Sequence, residues 1–130
     1  MKKLMITPVA DTAETGAIAV YRGVKLKIAR ANNTKFKAAF RRITKPYKEQ
    51  MDKEILDEKT SEDLYLQCLA ETILVDWKDF VLGGEDIPYT VENAIDLLRN
   101  DSDCLQFVTN YSQSIDNYLM QDEEELKGKQ

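Results

Sequence analysis

The sequence has 130 residues, 43% of them hydrophobic and 32% charged, which is enough chain for one globular domain and not the composition of a disordered one. Its formal charge is −5, and it contains no histidine. That zero excludes imidazole acid–base catalysis and every histidine metal site.

The first residues, Lys2 and Lys3 before Leu4, Met5 and Ile6, begin like an export signal. The apolar stretch fails at Thr7-Pro8, so no signal is read. No apolar run approaches the roughly 20 residues of a membrane span. Residues 1–120 read as a single compact domain, with residues 121–130 as a flexible acidic tail.

Residues 1–15 read as a flexible or edge segment. From residue 17 the pattern has a period of two. Ile18 and Val20, then Val24, Leu26 and Ile28 after a turn at Arg22-Gly23, are assigned to one packed face. Lys25, Lys27 and Arg30 take the wet face, where the lysines also discourage edge-to-edge aggregation. Asn32 or Asn33 caps a helix carrying Phe36, Ala39, Phe40, Ile43 and Tyr47, which Pro46 ends or bends. Met51, Ile55 and Leu56 suggest a further turn or short helix.

A central helix starts at Thr60 or Ser61. Leu64, Tyr65, Cys68, Leu69, Thr72 and Ile73 line it, and Leu74 and Val75 make its end apolar nearly all round. Trp77 then anchors the core, followed by Phe80. Gly83-Gly84 marks a turn that lacks the Lys-Ser/Thr of a phosphate loop. Thr90 caps a helix with Ala94, Ile95, Leu97 and Leu98. Asn100-Asp101-Ser102 breaks it and caps a last helix running through Leu105, Val108, Ser112, Ile115 and Leu119, with Phe107, Tyr111 and Tyr118 beside that stripe. The fold class is therefore α+β, mainly helical (about four to five helices) with a small N-terminal antiparallel β-hairpin.

Charge is segregated. Residues 1–48 carry +10 and residues 49–130 carry −15. The two halves can neutralise each other within the fold or between subunits. The basic half can also meet an acidic protein, or nucleic acid through its interleaved Phe36, Phe40 and Tyr47. The acidic remainder repels phosphate and disfavours nucleic acid.

Little points to chemistry. The acid pairs Asp76/Asp79, Glu85/Asp86 and Asp101/Asp103, and the run Glu123 to Glu125, are expected by chance among 23 acids. Asp101-Ser102-Asp103 lacks the central glycine and terminal glutamate of a calcium loop. Cys68 and Cys104 form no CxxC pair and read as buried, reduced thiols. No enzyme activity, catalytic residue, cofactor or metal is expected.

The stretch from Leu74 through Trp77 and Phe80, across the glycines, to Ile87-Pro88-Tyr89-Thr90-Val91-Glu92-Asn93-Ala94 and Leu97-Leu98 resembles tail assembly chaperones of long-tailed phages and prophages. The resemblance spans roughly residues 17–118, with the pattern strongest over residues 74–98. It implies a non-catalytic chaperone of the host cytoplasm, absent from the mature virion. Such a chaperone binds the tape measure protein and keeps it soluble during tail morphogenesis. Contact with the tail tube protein is a further implied partnership; homo-oligomerisation is a separate option, through charge pairing between subunits. The candidate partner-binding residues are Phe80, Ile87 and Tyr89 in the loop and Phe107, Tyr111 and Tyr118 on the last helix. The alternative is a small nucleic-acid-binding or nucleic-acid-mimicking regulatory protein.

Overall fold

A computed structural model describes residues 7–120; the tail assigned to residues 121–130 lies outside the described residues. The fold is α+β and mainly helical, with an early antiparallel hairpin. One turn of helix, α1 (Thr12–Thr15), leads into β1 (Ala17–Tyr21) and β2 (Val24–Ile28). The basic helix α2 (Thr34–Thr44) continues through a 3-10 turn, Lys45–Tyr47, into α3 (Lys48–Asp52). The central helix α4 (Glu58–Thr72) precedes β3 (Leu74–Lys78). A small hairpin, β4 (Val81–Leu82) and β5 (Glu85–Asp86), comes before α5 (Val91–Asn100) and α6 (Ser102–Gln113).

The first hairpin corrects the assigned face of β1. Arg22 (φ +47°) and Gly23 (φ +83°) form a two-residue turn with both φ positive, the geometry that matches strand twist. It pairs Tyr21 with Val24, Ala19 with Leu26 and Ala17 with Ile28. Ala19 therefore joins Leu26 and Ile28 in the core. Ile18 and Val20 pair with Lys27 and Lys25 and stand exposed on that face, with Lys25 exposed and Lys27 half-buried beside them. A two-residue turn fixes this parity, whatever the hydrophobicity of the side chains.

The apolar run after α4 is a strand, not the end of a helix. β3 pairs antiparallel with β2, giving the order β1-β2-β3. β2 has a second edge to fill, and β-branched Val75 with aromatic Trp77 suits a pleated surface. The amide of Ala29 donates to the Ile73 carbonyl (2.8 Å), closing the junction. The ladder shifts register between Lys27 and Ile28.

Leu26, Ile28, Leu66, Leu74, Leu98 and Val108 are fully buried, each stabilising the fold by about 1.5–3 kcal/mol. α4 packs against β3 and α5, and also against α2, where Ala39, Ile43 and Cys68 form a second small cluster. This is why its apolar residues are not confined to one stripe. Both cysteines are buried free thiols.

The last helix stops at Gln113, earlier than expected. The chain then turns so that Tyr118 enters the core, its hydroxyl donating to the Ile28 carbonyl (3.0 Å). The N-terminal segment is tied down there too: Val9 bridges Leu119, and the Met120 amide donates to the Pro8 carbonyl.

Caps explain the helix starts. Asn33, Asp57, Thr90 and Asp101 each accept a backbone N–H of the first turn. Asn33 is buried and does more. Its Oδ1 accepts from the Phe36 amide (2.8 Å), while Nδ2 donates to the Arg30 and Thr72 carbonyls (2.9 and 3.2 Å). Asn33→Ala is expected to cost about 2 kcal/mol, the loss of a cap plus two orphaned carbonyls. Asn33→Asp keeps the acceptor and loses the donors, so it should also destabilise. Urea denaturation followed by circular dichroism checks both.

Candidate functional site

The connection from β3 to α5 builds the largely apolar hollow on the surface. Trp77 leaves β3 with its ring packed between Phe80 and Tyr89, both 5.0 Å away centroid to centroid. Its Nε1 donates to the Ile87 carbonyl (2.8 Å), and the Ile87 amide donates to the Phe80 carbonyl (2.8 Å). These two bonds fold the β4–β5 hairpin over the base of α5. Gly83 (φ +60°) and Gly84 (φ +83°) supply its turn.

The hairpin divides the hollow into two adjoining recesses of about 360 and 330 Å³. Phe80, Leu82, Leu97 and Asp101 line both. Trp77 and Ile87 complete the first, with Asn93, Asp96 and Asn100 at its rim. Tyr21, Val24 and buried Leu26 floor the second, with Arg22 at its mouth. Leu82 is 67% exposed, a large apolar side chain presented to solvent beside an apolar recess.

The rim carries two acids, Asp96 and Asp101, beside two amides and one cation, Arg22. Asp101 holds a fixed position: it caps α6 through the Cys104 amide (3.0 Å) and accepts the Tyr21 hydroxyl at 3.2 Å. Burial, followed by this hydrogen bond, raises the Tyr21 hydroxyl above its ordinary pKa. Asp101 is thus a cap, consistent with the incomplete calcium pattern around it. Among the described residues, no three His, Cys, Asp or Glu side chains are grouped to hold a metal, and no helix is long and apolar enough to cross a membrane.

Two of the six candidate residues, Phe80 and Ile87, line the recesses. Tyr89 stands behind Trp77 as a support: its hydroxyl meets the Ala70 and Leu74 carbonyls, and burial pushes its pKa up to about 12. Of the candidates assigned to the last helix, one is corrected. Tyr118 is fully buried. Phe107 and Tyr111 are half-buried in an aromatic row that runs from Tyr21 through Phe107 and Tyr111 to Tyr118. Packing against the hairpin turns this face inward. Leu82, Leu97 and Trp77 were missing from the candidates. The signal for Leu82 is in the chain: an apolar pair, Val81-Leu82, directly before two turn glycines.

The basic segment is only partly neutralised. Arg22, Lys25 and Arg42 pair with Asp103, Asp79 and Glu71. Lys35, Lys37, Arg41, Lys45 and Lys48 make no ion pair among the described residues. Phe40 is exposed among them.

A model of the family described as YdaY prophage protein matches residues 31–129. It takes in the whole β3-to-α5 connection and starts after the first hairpin. No curated protein and no solved structure matches. The family match corrects the expectation of a tail assembly chaperone family; the phage and prophage origin stands.

Proposed function

This chain belongs to the YdaY prophage protein family, and from that premise we propose that it is a prophage-encoded binding protein, without catalytic activity, that holds an apolar segment of another polypeptide. It acts in the host cytoplasm and needs no cofactor. The observation that carries the reading is the paired recess under Leu82. Apolar side chains form its floor, while Asp96 and Asp101 sit at its edge. An amphipathic segment fits by inserting its apolar side chains and setting lysine or arginine against the rim. The specific version, a chaperone that keeps a tape measure protein soluble during tail assembly, rests on this groove and no longer on family membership.

The test is co-expression with long helical structural proteins of the same prophage. A soluble complex is expected with the natural protein. It should be lost with Leu82→Asp, an exposed position where the fold should be unchanged within about 0.5 kcal/mol. If every such partner stays insoluble, or if Leu82→Asp captures it equally, the groove reading is wrong.

A second reading, a nucleic-acid-binding regulator, rests on the unpaired cations of α2 around exposed Phe40. Labelled DNA and RNA titrated at low and moderate salt decide it; binding that weakens steeply with salt supports it.

A further inference from the structure

We propose that two copies of this protein join through the free edge of β1, forming one continuous sheet of order β3-β2-β1-β1-β2-β3 about a two-fold axis at Ala19. The proposal does not rest on the groove; Arg22 alone among its residues stands at the mouth of a recess, while Ile18 and Val20 line neither.

β1 is an edge strand of unusual composition. Its sequence, Ala-Ile-Ala-Val-Tyr, carries no charge and no proline, and no bulge interrupts its pairing with β2. Proteins commonly guard a sheet edge with one of these devices. The lysines that might have guarded it, Lys25 and Lys27, lie on the central strand. The two-residue turn makes Tyr21, Ala19 and Ala17 the residues that exchange hydrogen bonds with β2. The N–H and C=O groups of Ile18 and Val20 therefore point outward. Among the described residues, none of the loop or turn hydrogen bonds reaches them. The same two residues expose their side chains, at 56% and 61%. Unpaired backbone and unpaired apolar surface thus coincide.

A second copy satisfies both. Antiparallel pairing about Ala19 sets Ile18 of each copy opposite Val20 of the other. Both of these pairs fall in the hydrogen-bonded register, and their side chains meet on the open face. Ala19 opposes Ala19 on the inner face, where a small side chain permits the closer spacing of a non-hydrogen-bonded pair. Charge agrees with this register. It places Arg22 of each copy beside Gly16 of the other, next to α1, which carries Glu14. Asp11 and Glu14 are the two acids of the first 48 residues. Within its own chain Arg22 lies over the Tyr21 ring (5.3 Å to the centroid) and makes an exposed contact with Asp103 at 3.5 Å. One short strand and two side chains per copy make a small interface, so association should be weak and concentration-dependent.

Sedimentation velocity across the micromolar range tests the proposal, together with amide hydrogen exchange at the same concentrations. A monomer–dimer equilibrium is expected. Ile18→Lys and Val20→Lys should each weaken it by at least about tenfold with circular dichroism unchanged. The Ile18 and Val20 amides should exchange fast when dilute and more slowly when concentrated, while Ala19 and Tyr21 stay protected throughout. Arg22→Glu should weaken the dimer and Arg22→Glu with Glu14→Arg should restore it. A monomer at every concentration overturns the proposal. So does a dimer indifferent to both lysine variants. Ile18 and Val20 amides already protected at high dilution would mean that the chain covers its own edge, and would overturn it too.

Discussion

Replacing Trp77 with alanine is expected to destabilise the protein by about 3–5 kcal/mol, the range for deleting a large aromatic side chain from a core. Trp77 is the one tryptophan and does three jobs at once. It lies in β3 opposite Leu26, packs against Phe80 and Tyr89, and ties the β4–β5 loop down through the Ile87 carbonyl. Removing it opens a cavity where sheet, loop and α5 converge. Stability of a domain this size is about 5–15 kcal/mol in total, so the variant should be marginal at ambient temperature. Trp77→Phe keeps much of the volume and orphans the Ile87 carbonyl, at a cost of about 1–3 kcal/mol. Urea unfolding followed by far-ultraviolet circular dichroism measures both. An alanine variant within 1 kcal/mol of the natural protein would show that the groove wall stands without the indole.

Alkaline pH should unfold the protein. Burial pushes the Cys104 thiol from 9.0 up to about 12 and the Tyr89 hydroxyl from 10.0 up to about 12. Burial raises Tyr118 further still. All three are neutral when protonated and sit in the interior, so folding favours the proton. Below pH 9 folded and unfolded chains both hold these protons, and the full stability is present. Between pH 9 and 12 the unfolded chain releases them first, and stability falls with each pH unit by up to about 1.4 kcal/mol per group. The cumulative loss is several kcal/mol. Thermal midpoints measured from pH 7 to pH 11 should decline from about pH 9. Cys104→Ala should shrink the loss between pH 9 and 10, leaving the part due to Cys68, whose thiol burial also raises, before tyrosine takes over. A flat profile to pH 11 would contradict the burial of these groups.

The elements that announce themselves by local chemistry were legible in the sequence. Asn33, Thr90 and Asp101 each begin a helix because a short oxygen-bearing side chain reaches back to a free N–H. Arg22-Gly23 and Gly83-Gly84 mark turns through their backbone freedom. What was hidden depends on distant pairing. Leu74 to Lys78 has the apolar content of a buried helix end or of a strand, and only the open edge of β2 decides between them. Ile18 and Val20 look like core residues by hydrophobicity; the turn geometry sends them outward instead. Tyr118 reads as the side of a helix until the chain turns after Gln113 and folds it inward. The groove was half legible for the same reason. Phe80 and Ile87 flank an evident turn, whereas Leu97 joins them only because α5 packs back against α4.

The emission of Trp77 gives the most direct test of the groove as a polypeptide-binding site, because the sole indole forms its wall. A synthetic amphipathic helix with leucines on one face and lysines on the other serves as the probe. Its titration should shift and saturate the emission of the natural protein, and Leu82→Asp should weaken that response by about tenfold or more. No saturable change, or the same curve for both proteins, would contradict the assignment of this surface to binding.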